Sequence, residues 1–518
     1  MDSQPRALVR RPSPYPFATH GIRRDSDGVA HYENLPRSLV EVLRHWAETT
    51  PESDAVSEVG GPRLSYRELH ERAARVAGGL RAAGVNAGDR VALRYPAGAR
   101  WVLAFWGTLL AGAVPVAVNT RFTPHEVSFV LQDADVAIDL TPDTPLPDGD
   151  PVVASDPGPD DVAAIFYTSG TTGHPKGVPT THEAFLSNAE TMLRGLGVTR
   201  DIGAELRTLI SVPLFHVTGC NSQLLTAAYA GGAAVILPTL DLKALLDAVH
   251  GERISFLVTV PAVYALLLRD PAFTDADTST VRWVGYGGAP IASSQVHALR
   301  AAFPGCDVFN GYGMTETASL MTVLPNAEAA EHADSVGYAV PVVDLAIAPL
   351  DHPNRGELLA RGPNVMRGYW RHPEATEQAL QDGWMRTGDI VEVDAEGRVV
   401  VVDRLKDIIN RGGENISSVE VENALSEAPG VAEVAVVGVP DDVMGEKVGA
   451  VLVPTGIGPD SRAALDVDAV LAHARTRLAD YKMPQYVSVI TGPLPRNAGG
   501  KVRKNEVRRT ATWRSTKS

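Results

Sequence analysis

Short hydrophobic runs alternate with amphipathic helical windows along most of the chain up to about residue 400. The runs at residues 90–94, 208–212, 233–237 and 255–259 predict buried strands. The windows at residues 66–83 and 240–250 have the spacing of apolar positions that is typical of helices. This alternation predicts an α/β fold with largely parallel sheets.

Residues 101–118 carry no charge, and their length is the lower limit for a segment that spans a bilayer. Gly107, Gly112 and Pro115 interrupt the stretch, and residues 113–118 have the pattern of a strand. We therefore predict a buried helix followed by a buried strand, and no integral membrane association.

Two further stretches indicate how the chain is organised. Residues 141–161 are rich in Pro and Asp and predict an exposed connection into a strand at residues 162–166. After residues 403–407 the pattern restarts, with a helix at 418–427, a strand at 431–439 and a helix at 468–478. We predict a large N-terminal α/β domain of mixed and parallel sheets packed with helices, residues 1–403, and a small α+β domain, residues 404–518.

The composition is that of a globular protein, with 44% hydrophobic and 21% charged residues in 518. A formal net charge of −15 argues against a nucleic-acid-binding protein. A basic tail follows Lys501 and is predicted to be a solvated helix; its cations are Arg503, Lys504, Arg508 and Arg509.

The cysteines and the N-terminus concern the cellular compartment. Cys220 and Cys306 lack the spacing of a metal or redox pair, so we predict reduced, buried thiols. The N-terminal residues have no apolar segment of a secretory signal. A cytoplasmic location is the resulting prediction.

Residues 167–177 read Tyr-Thr-Ser-Gly-Thr-Thr-Gly-His-Pro-Lys-Gly and follow a predicted strand. Glycines let backbone amides converge on a phosphate oxygen, hydroxyl groups add donors, and Lys176 adds a cation. Thr180 precedes Glu183 by three residues, which predicts a capping box and a helix after the loop. The segment predicts phosphate binding; the alternative, a flexible surface loop, is disfavoured by the length of the run.

Two common nucleotide fingerprints do not fit. A Walker loop requires Gly-Lys-Ser/Thr, whereas Lys176 stands between Pro175 and Gly177. The segment at residues 311–316 is not a dinucleotide fingerprint, because Glu316 occupies the third glycine position. A P-loop ATPase or a kinase-like function is therefore excluded.

With the loop at 167–177, six further motifs occur in a characteristic order, and together they resemble the adenylate-forming superfamily of acyl-CoA synthetases, aryl-CoA ligases, luciferases and peptide-synthetase adenylation domains. The motifs are Pro-Leu-Phe-His-Val-Thr-Gly at 213–219, Tyr-Gly-Gly-Ala-Pro at 286–290, Asn-Gly-Tyr-Gly-Met-Thr-Glu at 310–316, Trp-Met-Arg-Thr-Gly-Asp at 384–389, Asp-Arg-Leu-Lys-Asp at 403–407 and Pro-Arg-Asn-Ala-Gly-Gly-Lys at 495–501. The resemblance covers nearly the whole chain. It implies that a carboxylic acid and ATP give an acyl-adenylate and pyrophosphate, and that the acyl group then passes to coenzyme A.

The resemblance implies a role for each motif residue. Lys501, Lys176 and His216 are the implied catalytic residues, and Thr168 and Glu316 the implied Mg²⁺ ligands. A cation at Lys501 would counter the charge that develops when a carboxylate attacks a phosphate. Tyr312 would lie on adenine, and Asp389 and Arg404 would reach the ribose. The full implied nucleotide site is Thr168, Ser169, Gly170, Thr171, Thr172, Gly173, Lys176, Gly287, Gly288, Ala289, Asn310, Gly311, Tyr312, Gly313, Thr315, Asp389 and Arg404.

The acyl pocket is also implied by the resemblance, and several of its residues are small. They are His216, Thr218, Ser222, Gly288, Gly311, Gly313 and Leu320. No Arg or Lys among them can pair with a second carboxylate, so we expect a fairly apolar monocarboxylic acid. Aromatic acids and medium-chain fatty acids remain open. Thr218 stands where coumarate-type ligases often carry tyrosine, which disfavours a cinnamate-like acid.

The resemblance further implies that the small domain rotates about a hinge at Lys406 between the two half-reactions. Gly412, Gly413 and Glu414 would then line the path of the pantetheine arm. The main alternative acceptor is the pantetheine of an acyl carrier protein. Luciferase-type oxidation stays open, whereas the chemical residues disfavour an inactive binding protein. A monomer or a homodimer is expected.

Overall fold

The computed structural model describes residues 9–10, 17–154, 157–168, 174–289, 291, 293–455, 465–497 and 500–516, with residues 9, 10 and 351 described by their backbone alone. Sheets and helices alternate through the N-terminal part, and a separate small sheet follows residue 408. We call residues 17–404 the N-terminal unit and residues 409–516 the C-terminal unit. The predicted α/β class is confirmed.

Two mainly parallel sheets form the centre of the N-terminal unit. The first has, in spatial order, the strands Lys176–Thr181, Val162–Thr168, Val114–Ala117, Arg90–Leu93 and Val136–Leu140. The second has the strands Tyr338–Ala339, Ser319–Leu324, Asp307–Met314, Trp283–Gly287, Phe256–Thr259, Arg207–Ile210, Ala233–Ile236, Asp54–Glu58 and Arg63–Ser65. Antiparallel pairs occur at their edges, as between Lys176–Thr181 and Val162–Thr168.

The N-terminal part also has a third, antiparallel sheet and a small hairpin. The third sheet has the strands Val9–Arg10, Asp344–His352, Arg355–Arg361, Trp384–Val393 and Leu380–Gln381, with Val399–Arg404 paired to Trp384–Val393. The hairpin is Ile22–Arg24 with Ala30–Tyr32.

Helices cover the sheets because each presents an apolar face to them. In the N-terminal unit these are Leu39–Thr49, Tyr66–Ala82, Ala99–Leu110, Pro124–Asp133, His182–Gly195, Thr226–Ala230, Leu242–Gly251, Pro261–Leu267, Ser293–Ala302 and Pro373–Ala379, with a π-helix at Thr218–Leu225 and 3₁₀ turns at Arg200–Glu205, Pro271–Asp275 and Thr315–Thr317. The main hydrophobic core lies between these helices and the sheets.

The C-terminal unit has its own sheet and its own hydrophobic core. Its strands are Glu414–Ile416, Ile409–Arg411, Gly445–Pro454, Tyr486–Val489 and Arg514–Ser515, with Val431–Asp441 paired to Gly445–Pro454. Its helices are Ser418–Ser426, Val467–Arg475 and Lys504–Thr510, and a 3₁₀ turn lies at Asp480–Lys482.

The uncharged stretch at residues 101–118 forms the predicted pair of buried elements. The helix Ala99–Leu110 is buried on nearly every side, and the strand Val114–Ala117 is buried throughout. Among the described residues, no helix is long and apolar enough to cross a membrane. The stretch is therefore a core element, as the interrupting Gly and Pro residues predicted.

The connection at residues 141–161 packs on the helix Tyr66–Ala82 as well as facing solvent. Gly149 N donates to Arg75 O (3.1 Å) and Val152 N donates to Ala74 O (3.0 Å). A Cβ on Gly78 would lie 1.8 Å from Asp150 O, so only glycine allows this approach. The connection is thus a surface segment, as predicted, but it is held closely to the helix.

Three smaller predictions need correction. The helix His182–Gly195 is capped by Thr181 rather than Thr180, because the preceding strand continues through Thr181. Cys306 is partly exposed, although Cys220 is buried as predicted and both are free. Lys504 in the basic tail is not simply solvated, since its Nζ lies 2.8 Å from Glu422 Oε1.

Candidate active site

The motif residues of the second sheet lie where its parallel strands end. The strand Trp283–Gly287 leads into Gly288 and Ala289, and the neighbouring strand Asp307–Met314 leads into the turn Thr315–Thr317. In open α/β sheets the carboxyl ends of parallel strands are the usual place for a ligand. The fold thus brings two of the predicted nucleotide motifs side by side.

Glycine is required where these two strands approach each other. A Cβ on Gly287 would lie 2.2 Å from Gly311 O, and Gly288 has a φ of +74°. Ala289 is exposed, whereas Asn310 is buried and its Nδ2 donates to Ser335 O (3.3 Å). The result is a flat backbone wall beside Tyr312, which is the surface that a planar base needs.

Tyr312, Asp389 and Arg404 form one cluster, in which Asp389 is buried and the other two side chains are partly exposed. Tyr312 Oη donates to Asp389 Oδ2 (2.5 Å), and Arg404 Nε lies 2.5 Å from Asp389 Oδ1 as an ion pair without hydrogen-bond alignment. Burial raises the pKa of Asp389, and the charge of Arg404 opposes that rise. Burial, reinforced by Asp389, raises the pKa of Tyr312 well above its usual value. The Asp389 carboxylate therefore lies next to the hydroxyl group of Tyr312 and the guanidinium group of Arg404. Such a carboxylate is suited to accept hydrogen bonds from the hydroxyl groups of a ribose.

Lys176, Tyr369 and Glu316 make a second cluster at the phosphate loop. Lys176 Nζ lies 5.0 Å from the centroid of the Tyr369 ring, and Tyr369 Oη donates to Glu316 Oε1 (2.9 Å). Thr168 is the strand partner of Lys176, so both ends of the loop start from one hairpin. Five predicted loop residues, Ser169, Gly170, Thr171, Thr172 and Gly173, lie outside the described residues. The sequence analysis missed Tyr369, whose signal was an aromatic residue directly after Gly368.

The protein oxygens near Glu316 fit a Mg²⁺ ion that takes most of its ligands from water and from substrate phosphates. Within the described part of the chain, no group of three or more His, Cys, Asp or Glu residues could hold a metal ion. Mg²⁺ is commonly held by one or two protein oxygens together with water and substrate phosphates. The buried carboxylate of Glu316 beside the phosphate loop, with the hydroxyl group of Thr168, matches that pattern.

Lys501 reaches this site from the C-terminal unit. Its turn is closed by Lys501 N donating to Asn497 Oδ1 (2.9 Å), and Gly500 adopts a φ of +81°. The side chain is accessible to water, yet the surrounding protein lowers the pKa of Lys501, as does the charge of Arg404. Asp389 and Glu316 act in the opposite direction. The ammonium group thus lies in an open cleft between the ribose cluster and the phosphate cluster.

His216 lies on the other side of the same cleft. The pKa of His216 is lowered to about 4, mainly by burial and in smaller part by the nearby charges of Lys501 and Arg121. The imidazole is therefore neutral near pH 7 and adds no cation to the pocket. Arg121, which the sequence analysis did not single out, is an exposed cation of this region.

The predicted acyl residues Thr218 and Ser222 share one π-helix, Thr218–Leu225. The wide turn of a π-helix brings residues four apart to nearly the same face, and such turns are frequent at functional sites. Ser222 Oγ lies 2.6 Å from Ser319 Oγ, and both residues are buried. Leu320 follows, and its Cδ2 would lie 2.9 Å from a Cβ on Gly311. The fold brings these predicted pocket residues together and adds Ser319, which the sequence analysis missed.

The segment that carries Ser319 is strained and firmly held. Ala318 and Ser319 have φ values of +51° and +118°, which side chains rarely adopt. Asn221 Nδ2 donates to Ala318 O, and Asn364 Nδ2 donates to Leu320 O (2.9 Å). Buried amide side chains thus fix the backbone between Glu316 and the acyl pocket.

Gly313 lies directly beneath this segment. A Cβ at Gly313 would lie 1.4 Å from Ser319 O, so no side chain fits there without moving the strand. The backbone, rather than a side chain, therefore forms this wall of the predicted acyl pocket.

The predicted hinge and pantetheine path lie at the surface of the C-terminal side. Lys406 is exposed between the two units. Gly412, Gly413 and Glu414 form an exposed turn between the strands Ile409–Arg411 and Glu414–Ile416. The contacts among described residues do not connect this turn to Lys501 or Glu316.

Comparison with known proteins gives two family matches. The model of the AMP-binding enzyme family matches residues 43–150 and 139–370, and that of the AMP-binding enzyme C-terminal domain matches residues 420–501. A feruloyl-CoA synthase from Amycolatopsis sp is 39% identical over 488 residues, with 89% of this chain and 97% of the relative covered. A long-chain-fatty-acid–CoA ligase from Mycobacterium tuberculosis is 33% identical over 502 residues, with 90% and 97% covered.

Solved structures share the whole architecture. The o-succinylbenzoate CoA synthetase of Bacillus subtilis in complex with its acyl-adenylate intermediate superposes with a TM-score of 0.83 at 29% identity, over 92% of this chain and 98% of that one. The same synthetase in complex with ATP and magnesium gives a TM-score of 0.81 at 30% identity, over 90% and 98%.

Proposed function

The chain belongs to the AMP-binding enzyme family and ligates a carboxylic acid to coenzyme A through an acyl-adenylate at the expense of ATP, and we propose that its acid is an aromatic monocarboxylic acid with a hydrogen-bonding group on the ring. The single observation that carries this proposal is the hydroxyl pair of Ser222 and Ser319 in the acyl pocket. Apart from His216 and Thr218, the other predicted pocket residues are glycines and the apolar Leu320.

The hydroxyl pair favours a substrate with a polar group at its far end. Each serine hydroxyl can donate one hydrogen bond and accept two. After the hydrogen bond between the two serines is made, one hydroxyl proton and several acceptor lone pairs are still available. A purely apolar chain would leave that capacity unmet in a buried place, which has a cost. A phenolic hydroxyl or a similar ring substituent would meet it.

The relatives agree with an aromatic acid better than with a fatty acid. The feruloyl-CoA synthase is named for a phenolic acid and is 39% identical, whereas the long-chain-fatty-acid ligase is 33% identical. Thr218, which the sequence analysis took as evidence against a cinnamate-like acid, has a smaller side chain than the tyrosine of coumarate-type ligases and therefore takes up less of the pocket. We therefore choose the aromatic alternative over the medium-chain one.

In the first half-reaction a carboxylate oxygen attacks the α-phosphorus of ATP. A new P–O bond forms, the bond to the bridging oxygen breaks, and pyrophosphate leaves with the electron pair. We propose that Lys501 and Lys176 stabilise the charge that develops on the phosphate oxygens. Tyr312 and the Gly287–Gly288 backbone would hold the adenine, and Asp389 with Arg404 the ribose.

Magnesium, when bound, neutralises part of the phosphate charge. We propose that Glu316 and Thr168 hold it, because their oxygens lie at the phosphate loop. Tyr369 positions Glu316 through its hydroxyl group. His216, neutral at pH 7, closes the carboxylate end of the acyl pocket without repelling Lys501.

In the second half-reaction the sulfur of coenzyme A attacks the acyl carbonyl carbon, and AMP leaves. In this orientation the described hydrogen bonds of Gly412, Gly413 and Glu414 stay within the C-terminal unit and do not reach Lys501. We propose that the part of the small domain after Lys406 rotates about this residue, which removes Lys501 and brings Gly412, Gly413 and Glu414 to the cleft. Their small, positive-φ glycines suit close passage of a pantetheine arm.

A panel of acids, read by pyrophosphate release, tests the substrate class. The panel pairs benzoate with 4-hydroxybenzoate and cinnamate with its 4-hydroxy derivative, and includes octanoate. We expect the hydroxylated member of each pair to have the higher kcat/KM, and octanoate the lowest. Preference for octanoate, or for the unsubstituted rings, would show that the hydroxyl pair does not select the acid.

An acyl carrier protein remains the alternative acceptor. Since coenzyme A ligation is the reaction of the family members compared above, we propose free coenzyme A as the physiological thiol. Acylation of coenzyme A and of a phosphopantetheinylated carrier protein, measured side by side, distinguishes the two. A monomeric or homodimeric state and a cytoplasmic location stay predictions.

A further inference from the structure

A buried polar network joins the last strand of the N-terminal unit to the first helix of the C-terminal unit. Asp403 Oδ2 accepts hydrogen bonds from Ser418 N (2.5 Å) and Ser418 Oγ (2.7 Å), and Ser417 Oγ donates to Val402 O (2.8 Å). Asp403 is 2% exposed and Ser418 is fully buried. A carboxylate at a helix N-terminus meets unpaired amide groups and a positive partial charge, so this contact is favourable.

Lys504 determines the direction of the hydrogen bond between Ser418 and Asp403. Lys504 Nζ donates to Ser418 Oγ (2.6 Å) and pairs with Glu422 Oε1 (2.8 Å). An ammonium group can only donate, so Ser418 Oγ is the acceptor of that bond. The single hydroxyl proton of Ser418 is therefore directed at Asp403. Lys504 is also the third residue after Lys501, at the start of the helix Lys504–Thr510.

The other oxygen of Asp403 bonds to the backbone of Arg404, whose side chain belongs to the cluster with Asp389 and Tyr312. Asp403 Oδ1 accepts from Arg404 N (2.7 Å), and the Arg404 side chain pairs with Asp389 (2.5 Å). One network thus extends from the proposed ribose-binding carboxylate to the segment that bears Lys501. Its members lie on both sides of Lys406 in the sequence.

We propose that Asp403, Ser418 and Lys504 form a latch that holds the C-terminal unit in the orientation in which Lys501 faces Asp389 and Glu316, with Lys504 as its positioning residue. The proposal rests on the proposed function, and in particular on a hinge at Lys406. Rotation about Lys406 carries Ser418 and Lys504 together but leaves Asp403 behind. The latch therefore exists only in the adenylating orientation, and its strength sets the share of molecules in that orientation.

The same helix provides a matched control. Lys482 Nζ lies 2.6 Å from Glu420 Oε1, which makes a second lysine ion pair on the helix Ser418–Ser426. Both partners of that pair belong to the C-terminal unit and neither contacts Asp403. Removing Lys482 changes a lysine ion pair of the helix without touching the latch.

The test measures the two half-reactions separately in the full-length enzyme. Pyrophosphate release from acid plus ATP reports adenylation, and thioester formation from supplied acyl-adenylate plus coenzyme A reports the second step. For Lys504→Met we expect adenylation to fall by about 5- to 30-fold, the factor that one or two lost interactions of this size produce. The second step should stay unchanged or become faster. Lys504→Arg should recover most of the adenylation rate, because a guanidinium group also only donates, and Lys482→Met should change neither step.

Other outcomes separate the latch from the proposed function. Equal losses in both half-reactions, or no loss in either, would overturn the latch while the wild-type enzyme stays active. A wild-type enzyme that releases no pyrophosphate with any acid would overturn the proposed function itself. If Lys504→Met does not fold, Ser418→Ala provides the same test, since it removes the hydroxyl group between Lys504 and Asp403, and the same split between the half-reactions is expected.

Discussion

The two halves of the site are built in opposite ways. Beside the backbone wall of Gly287 and Gly288, the proposed nucleotide half uses charged and aromatic side chains that contact each other, as in Tyr312 with Asp389 and Tyr369 with Glu316. The acyl half uses small residues, backbone walls and one neutral hydroxyl pair. ATP is the same molecule in every member of the family, whereas the acid differs. We therefore expect ATP, the substrate that does not vary, to be recognised mainly by side chains. We expect the acid, which varies, to be recognised mainly by the shape of its pocket.

The largest expected effect tests the charged half. Lys501→Ala should lower pyrophosphate release by about 10²- to 10³-fold, because the variant loses the cation at the developing charge. Thioester formation from supplied acyl-adenylate should persist, since that step does not need this cation. Stopped assays of both half-reactions measure the difference. Unchanged pyrophosphate release would contradict the role of Lys501, and Lys482→Ala serves as a control for removal of a lysine elsewhere in the C-terminal unit.

The shape of the acyl half is tested by Gly313→Ala. The new Cβ would lie 1.4 Å from Ser319 O, so the strained segment must move. Because displacements near 1 Å at a reacting centre can cost about 10²-fold, we expect a loss of that order in kcat/KM for the acid. Gly313 also belongs to the implied nucleotide site, but the KM for ATP should change much less, because the clash is with Ser319 O on the acyl side. Gly195→Ala, where nothing lies within 4 Å of the added Cβ, is the control; equal effects on both substrates would argue that Gly313 does not belong to the acyl half.

The hydroxyl pair is tested by Ser222→Ala. Loss of one neutral hydrogen bond corresponds to about five- to tenfold in KM. We expect this increase for the hydroxylated acid and little change for its unsubstituted parent. Steady-state kinetics with the two acids gives the comparison directly. A change of equal size for both acids would mean that Ser222 contributes packing rather than recognition.

The smallest effect concerns His216 and pH. Its folded pKa of about 4 lies below the value of 6.5 for an unperturbed histidine, because burial disfavours the charged form. The unfolded state therefore binds the proton more tightly, and the free energy of unfolding should fall as the pH is lowered from about 6.5 toward about 4. Denaturant titrations of the wild type and of His216→Phe at several pH values in this range measure the free energy of unfolding. The pH dependence of the variant should be shallower; curves of identical slope would show that His216 does not titrate this way.

The fold class and many of its elements followed from the sequence. The alternation of apolar runs gave the strands near residues 90, 208, 233 and 255 to within two residues at each end, because burial and period are local properties of the chain. The helix cap at Thr181 was displaced by one residue, since two adjacent threonines offer the same capping chemistry. Only the continuation of the strand selects between them.

In the site, the sequence predicts residues and roles wherever a motif has to meet fixed chemistry, and those roles stay predictions. Lys176, Glu316, Asp389 and Lys501 were identified by type and order, and the structure brings their segments to one cleft. Tyr369 and Ser319 were not identified. Tyr369 contacts Glu316 and Ser319 contacts Ser222, and in both pairs the partner is distant in the sequence. A pattern of neighbouring residues therefore could not predict either contact.

The sequence by itself determined many of the elements, the glycines that the tight approaches need, and the residue types of the proposed nucleotide half, because these depend on the chemistry of single residues or short runs. Only the tertiary structure decided which hydroxyl groups face each other in the acyl pocket, which carboxylate caps which helix across residues 403–418, and how far burial shifts the pKa of His216. Those properties arise from residues that are distant in the chain and close in space, and the physical terms that govern them, desolvation and hydrogen-bond geometry, exist only once the chain has folded.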